Sequence, residues 1–135
     1  HEGIVLSTYI VFMDILKEYD SIPSYENMTL WIADEFSKRQ FASIFELLSL
    51  RYANFYGNIG DYLKSDQIAG EGIEIELECE RMSSLNTLLY CIAWNNGEQQ
   101  KATENDIQFC KWAYEIAKFK EDNIRMVVYK RWLQR

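Results

Sequence analysis

Ile73-Glu74-Ile75-Glu76-Leu77-Glu78-Cys79-Glu80 alternates apolar and acidic side chains without a break. Period two is the mark of a strand with one wet face. A strand needs a neighbour for its backbone donors and acceptors, and no second alternating segment exists in the chain. The run is therefore read as the frayed or extended start of a helix over 74–95, and the fold as all-α. Met82, Leu85, Leu88, Leu89 and Ile92 carry that helix's apolar face at three- and four-residue spacing. Trp94 stands near its end, and Asn95-Asn96-Gly97 supplies a C-cap signal.

Upstream of this run, Asp66, Gly70 and Gly72 make 66–73 the best loop candidate. Before it, Phe41, Ile44, Phe45, Leu48, Tyr52, Phe55 and Tyr56 mark one broad face over 40–56, widened by Leu47. That breadth predicts a helix covered on more than one side. Gly57 and Gly60 each cost about 1 kcal/mol in a helix interior, so a break is expected there, with Asn58 capping a short helix through Leu63. Val5, Tyr9, Phe12, Met13 and Leu16 predict a helix over 4–19. Pro23 ends it, and Met28, Trp31, Ile32 and Phe36 predict another over 24–38.

Downstream, 98–102 is polar. Thr103 and Asp106 form a capping box with Asp in place of Glu or Gln. The helix behind it carries Ile107, Cys110, Ala113, Tyr114 and Ala117. A polar bend at 118–122 leads to a short last helix with Ile124, Val127, Val128 and Trp132 inward and Arg125, Lys130, Arg131 and Arg135 outward. The expected architecture is one compact domain over 1–135. It is a bundle of six or seven helices around two largely buried ones, 41–56 and 82–95.

Composition supports a folded core and narrows the chemistry. The 135 residues are 48% hydrophobic and 15% aromatic, with a single Pro. A chain of this size buries about two-thirds of its unfolded surface. The only His is His1, so no interior imidazole can serve a catalytic triad, a metal site or a pH switch. Cys79, Cys91 and Cys110 are odd in number and lack CxxC spacing. They read as small hydrophobes in a reducing, cytoplasmic setting rather than zinc ligands. No phosphate loop is present, because Gly57 and Gly60 have no following Gly-Lys-Ser or Gly-Lys-Thr. No metal or organic cofactor and no catalysis are expected. No apolar stretch reaches the about 18 residues of a membrane span. Residues 4–16 form a weak signal-peptide candidate at best. His1 is an unusual first residue, in keeping with a tag remnant or a trimmed chain, and the residues do not tell whether flanking sequence is missing.

The net charge of −7 disfavours nucleic acid as a general partner. The charge is uneven: residues 118–135 hold six basic and two acidic side chains. Arg125, Lys130 and Arg131 are the candidates for contact with phosphate or a neighbouring subunit. The carboxylates of Glu74, Glu76 and Glu78 read as a solvated face able to steer a basic protein partner. Tyr19, Tyr25 and Tyr62 fit the apolar stripes poorly and are the candidate partner-binding aromatics. A homodimer is a further option.

Three segments carry a family resemblance: Trp31-Ile32-Ala33-Asp34-Glu35-Phe36; Tyr52-Ala53-Asn54-Phe55-Tyr56-Gly57-Asn58-Ile59; and the helix order from Leu85 through Trp94 to Arg135, with Asp122-Asn123-Ile124 opening the last helix. Together they resemble the poxvirus proteins of Bcl-like helical fold. That resemblance implies a non-enzymatic module that binds and blocks a host signalling or apoptosis protein. Arg81 to Ala117, with Thr103 and Asp106-Ile107, is also similar to the helical lid of replicative helicases and primases, which implies nucleic-acid contact. A third option for a small, acidic, helical chain is a bacterial toxin-neutralising protein of the immunity type.

Overall fold

A computed structural model describes the backbone of residues 38–135 and the side chains of 44–135. The helices expected over 4–19 and 24–38 lie outside the described residues, as do Tyr19 and Tyr25. Among the described residues there are five α-helices and no strand. They are α1 (Lys38–Asn58), α2 (Tyr62–Glu78), α3 (Leu85–Glu98), α4 (Glu104–Phe119) and α5 (Asn123–Leu133). From Phe45 to Arg135 they form one compact unit. α2 packs on α3, α3 on α4 and α4 on α5.

In α1, Ile44, Phe45, Leu48 and Tyr52 are buried along one stripe. The helix ends where Gly60 takes φ 87°, and Asp61 N–H donates to the Tyr56 carbonyl at 2.9 Å. A left-handed residue after the cap satisfies carbonyls that the helix end leaves open. Asp61, rather than Asn58, then caps the next helix, its Oδ1 accepting from Lys64 N–H at 3.2 Å.

That helix corrects the loop expected over 66–73: α2 runs through it without interruption to Glu78. Its inward face is Ser65, Ile68, Ala69, Gly72 and Glu76, a helical period that the local alternation hides. Gly72 serves packing rather than a turn. A methyl group there would lie 2.5 Å from Ser49 Oγ and 2.9 Å from Leu88 Cδ1, so its absence lets α2 lie close against α1 and α3. The alternating run is thus helical up to Glu78, and Leu77, counted as inward by the strand pattern, is 61% exposed.

The single helix expected over 74–95 is instead two, broken at 79–84. Glu80 adopts φ 52°, and Arg81 N–H donates to the Glu76 carbonyl at 2.8 Å. Met82 lies in this turn and is exposed rather than on a core face. α3 then runs past the expected stop at 95–97, to Glu98. The same device ends it: Gln100 has φ 57°, and Lys101 N–H donates to the Asn96 carbonyl at 3.0 Å. α4 closes likewise, with Glu121 at φ 58° and Asp122 N–H on the Ala117 carbonyl at 2.8 Å.

The capping box of α4 is formed as expected. Asp106 Oδ2 accepts from Thr103 N–H at 2.8 Å, while Oδ1 takes the Asn96 side-chain amide at 2.8 Å and so ties α4 to α3. Cys110, Ala113 and Ala117 make a buried stripe of small residues on α4, and Ile107 points outward. Cys79 is also exposed, unlike Cys91 and Cys110. α5 is rotated from its expected orientation. Tyr129 and Trp132 are buried, whereas Ile124, Val127 and Val128 are 80%, 52% and 38% exposed. One side of α5 faces the core, and the two large aromatics remove more surface from water than an Ile and two Val do. No described helix is long and apolar enough to cross a membrane.

Candidate functional site

α3 is apolar on two sides. Leu85, Leu88 and Leu89 enter the core, while Thr87, Tyr90, Cys91, Trp94 and Asn95 form a second stripe at helical spacing. The last turns of α1 stand on one side of this stripe and α5 on the other. Together they enclose a cleft of about 440 Å³ whose lining is mainly apolar. That volume lies within the range of ligand pockets, about 300–1,000 Å³.

The floor is held from beneath. Asn95 is fully buried, and its Nδ2 donates to Ser65 Oγ at 2.9 Å and Asp66 Oδ1 at 2.7 Å. Ser65 Oγ donates in turn to the Ala53 carbonyl at 2.6 Å, which fastens α1, α2 and α3 below the cleft. Burial raises the Asp66 carboxyl above its ordinary range, and the Asn95 amide pulls the other way. On the α5 side, the Tyr90 and Tyr129 rings meet at 4.8 Å, and Asn86 Nδ2 donates to the Tyr129 hydroxyl at 3.1 Å. Val128 and Arg125 complete the rim. Arg125 is tied to Asp122 at 2.8 Å.

Burial pushes the Cys91 thiol up and so disfavours the thiolate. Burial likewise moves Tyr129 up to about 12. Among the described residues no group of His, Cys, Asp and Glu side chains is placed to hold a metal ion. What the cleft offers is aromatic faces, aliphatic methyls, side-chain amides and one cation.

Of the residues singled out from sequence, Arg125 lines this cleft. Tyr62 is half-buried against Trp94, ring centroids 6.4 Å apart, and so supports the wall. Lys130 and Arg131 are exposed on α5 but outside the lining. Glu74 and Glu78 are exposed on α2, which contributes no lining residue. Glu76 corrects the expectation of an acidic surface face. It is fully buried, in line with Gly72, and its Oε1 accepts from Ser84 N–H at 2.8 Å. Sequence reasoning passed over Tyr90, Trp94 and Val128. The signal for the α3 residues was present as a stripe of Thr87, Tyr90, Cys91 and Trp94 beside the core stripe of the same helix. No protein-family model, curated protein or solved structure matches the chain.

Proposed function

We propose that the chain is a non-enzymatic protein-binding module that takes an amphipathic helix of a partner protein into the cleft between α1, α3 and α5 and so occludes it. The observation that carries this reading is the continuity of the cleft with exposed apolar surface. Val128 belongs to both the cleft lining and an outward α5 row that includes Ile124 and Val127. Exposed apolar rows bordering a groove mark interaction sites more often than chance surface. A helix laid in a groove presents side chains at i, i+3, i+4 and i+7, which suits a slot walled by helices. Arg125 at the rim, with Lys130 and Arg131 further along α5, favours acidic residues flanking those anchors. The sequence resemblance to Bcl-like viral modulators points in the same direction.

Selection from a random library of sixteen-residue peptides tests the reading without naming a partner. Enriched peptides should carry apolar residues at helical spacing with acidic neighbours, and Val128→Asp should abolish their binding while leaving the fold intact by circular dichroism. Absence of enrichment, or binding indifferent to Val128→Asp, refutes it. The rival reading is phosphate contact through Arg125, Lys130 and Arg131. It requires single-stranded DNA binding that weakens steeply between two salt concentrations.

A further inference from the structure

Two carboxyls come together in the interior, and Arg81 is paired with one of them. Glu46 of α1 is 2% exposed and Glu76 of α2 is 0% exposed. Arg81, in the turn between α2 and α3, places Nε on Glu46 Oε2 at 3.0 Å and Nη2 on Glu46 Oε1 at 2.8 Å. That fork is matched to a single carboxylate, that of Glu46. Among the described residues no cation is paired with Glu76 in this way. Its Oε1 accepts from Ser84 N–H, its Oε2 has no hydrogen-bond partner among the described residues, and its carboxyl is close enough to Glu46 for each to affect the other's charge. Two buried carboxyls close together disfavour both being charged, and a proton on one of them relieves that cost. Among the described residues Lys120, just beyond α4, also reaches Glu76, and its Nζ donates to the Ser83 carbonyl at 3.1 Å and Asn86 Oδ1 at 2.9 Å. Lys120 in turn neighbours Arg125 and Asp122 at the start of α5.

We propose that Glu46 and Glu76 form a proton-operated latch on the turn between α2 and α3. With a proton on Glu76, that carboxyl donates to Glu46 and still accepts from Ser84, so α1, α2 and the start of α3 are pinned together. Without it, two buried negative charges face each other and the turn loosens. Burial is the largest cause that moves Glu76 up, to about 7, and the contact with Glu46 adds to it; Ser84 N–H and Arg81 oppose in part.

The sign follows from comparing the closed and opened turn. Once exposed, Glu76 returns to its ordinary value of 4.5, so between 4.5 and about 7 only the closed state keeps the proton. Raising the pH through that window favours opening by about tenfold per pH unit, levelling off above it. The latch is tightest in mildly acidic conditions and weakens as the pH rises towards neutrality, whatever the cleft binds.

Side-chain carboxyl resonances of the full chain, followed by carbon-detected NMR from pH 4.5 to 8.5, test this directly. Amide exchange of Arg81 and Ser84, corrected for intrinsic rate, is read over the same range. The expected result is a Glu76 midpoint near 7, with opening of the two amides rising about tenfold per pH unit up to that midpoint. Glu76→Gln, whose amide donates to Glu46 at every pH, should flatten the exchange profile. A Glu76 midpoint below about 5, exchange that does not change with pH, or a Gln variant that follows the wild-type profile overturns the proposal. Should the variant not fold, the two wild-type measurements decide alone.

Discussion

Gly70 and Gly72 lie on the same helix, and alanine at each should act in opposite directions. Alanine is favoured over glycine inside a helix by about 1 kcal/mol. At Gly70 nothing lies within 4 Å of the added methyl, so Gly70→Ala should stabilise the protein by about 0.5–1 kcal/mol. At Gly72 the methyl would meet Ser49 Oγ at 2.5 Å, Leu88 Cδ1 at 2.9 Å and Ser49 Cβ at 3.1 Å. Neither neighbour can swing aside. Both are fully buried, and Ser49 Oγ already donates to the Glu46 carbonyl at 3.0 Å. The helices must separate instead, and overpacking of this kind costs about 1–3 kcal/mol. Two tight neighbours place Gly72→Ala at the upper end, for a net loss of about 2 kcal/mol after the helix preference is credited. The two variants should therefore differ by about 3 kcal/mol. Urea unfolding followed by far-ultraviolet circular dichroism reads this as a shift in midpoint at constant slope. If Gly72→Ala proves as stable as Gly70→Ala, the close approach of α2 to α1 and α3 is wrong, and with it the continuous α2.

Other changes probe other joints. Gln100→Gly and Glu121→Gly should each stabilise the protein by about 0.5–1 kcal/mol, because both positions hold φ near 57° and glycine reaches that region without steric cost; thermal unfolding midpoints check this. Asp106→Ala removes the acceptor for Thr103 N–H and for the Asn96 amide, and should cost about 2 kcal/mol by urea unfolding. Of the three cysteines, Cys79 should react with a thiol reagent at once, whereas Cys91 and Cys110 should react only as the chain opens. Two fast thiols would contradict the packing of α3 and α4.

Much of the helical layout was legible because apolar spacing and two side-chain caps carry it. The Thr103–Asp106 capping box and Asp122 at the start of the last helix are local signals and were readable as such. The breaks were less so. α2, α3 and α4 end with Glu80, Gln100 and Glu121 in the left-handed region, where glycine is the usual marker. The glycines that do stand out, Gly70 and Gly72, lie inside α2, one of them for the sake of tertiary contact. Local reading thus placed a loop where packing needed a small residue, and a helix where a turn was closed by charged ones.

The site was harder to read for a related reason. Glu76 belongs to an acidic run that looks solvated, and only the neighbouring helices turn it inward. The cleft exists because α1 and α5 stand on either side of α3, and no single segment encodes that separation. Its floor residues were visible as a helical stripe. A helix apolar on two sides reads as buried throughout until its neighbours are placed.

Chemical-shift mapping of a selected peptide onto the isotope-labelled chain bears most directly on what the molecule is for. Amides at 53–58 on α1, 87–95 on α3 and 125–129 on α5 should move together on titration and stop moving in the Val128→Asp variant. Perturbation confined to the Glu74 and Glu78 surface of α2, or spread evenly over the five helices, would show that the cleft is not where a partner docks.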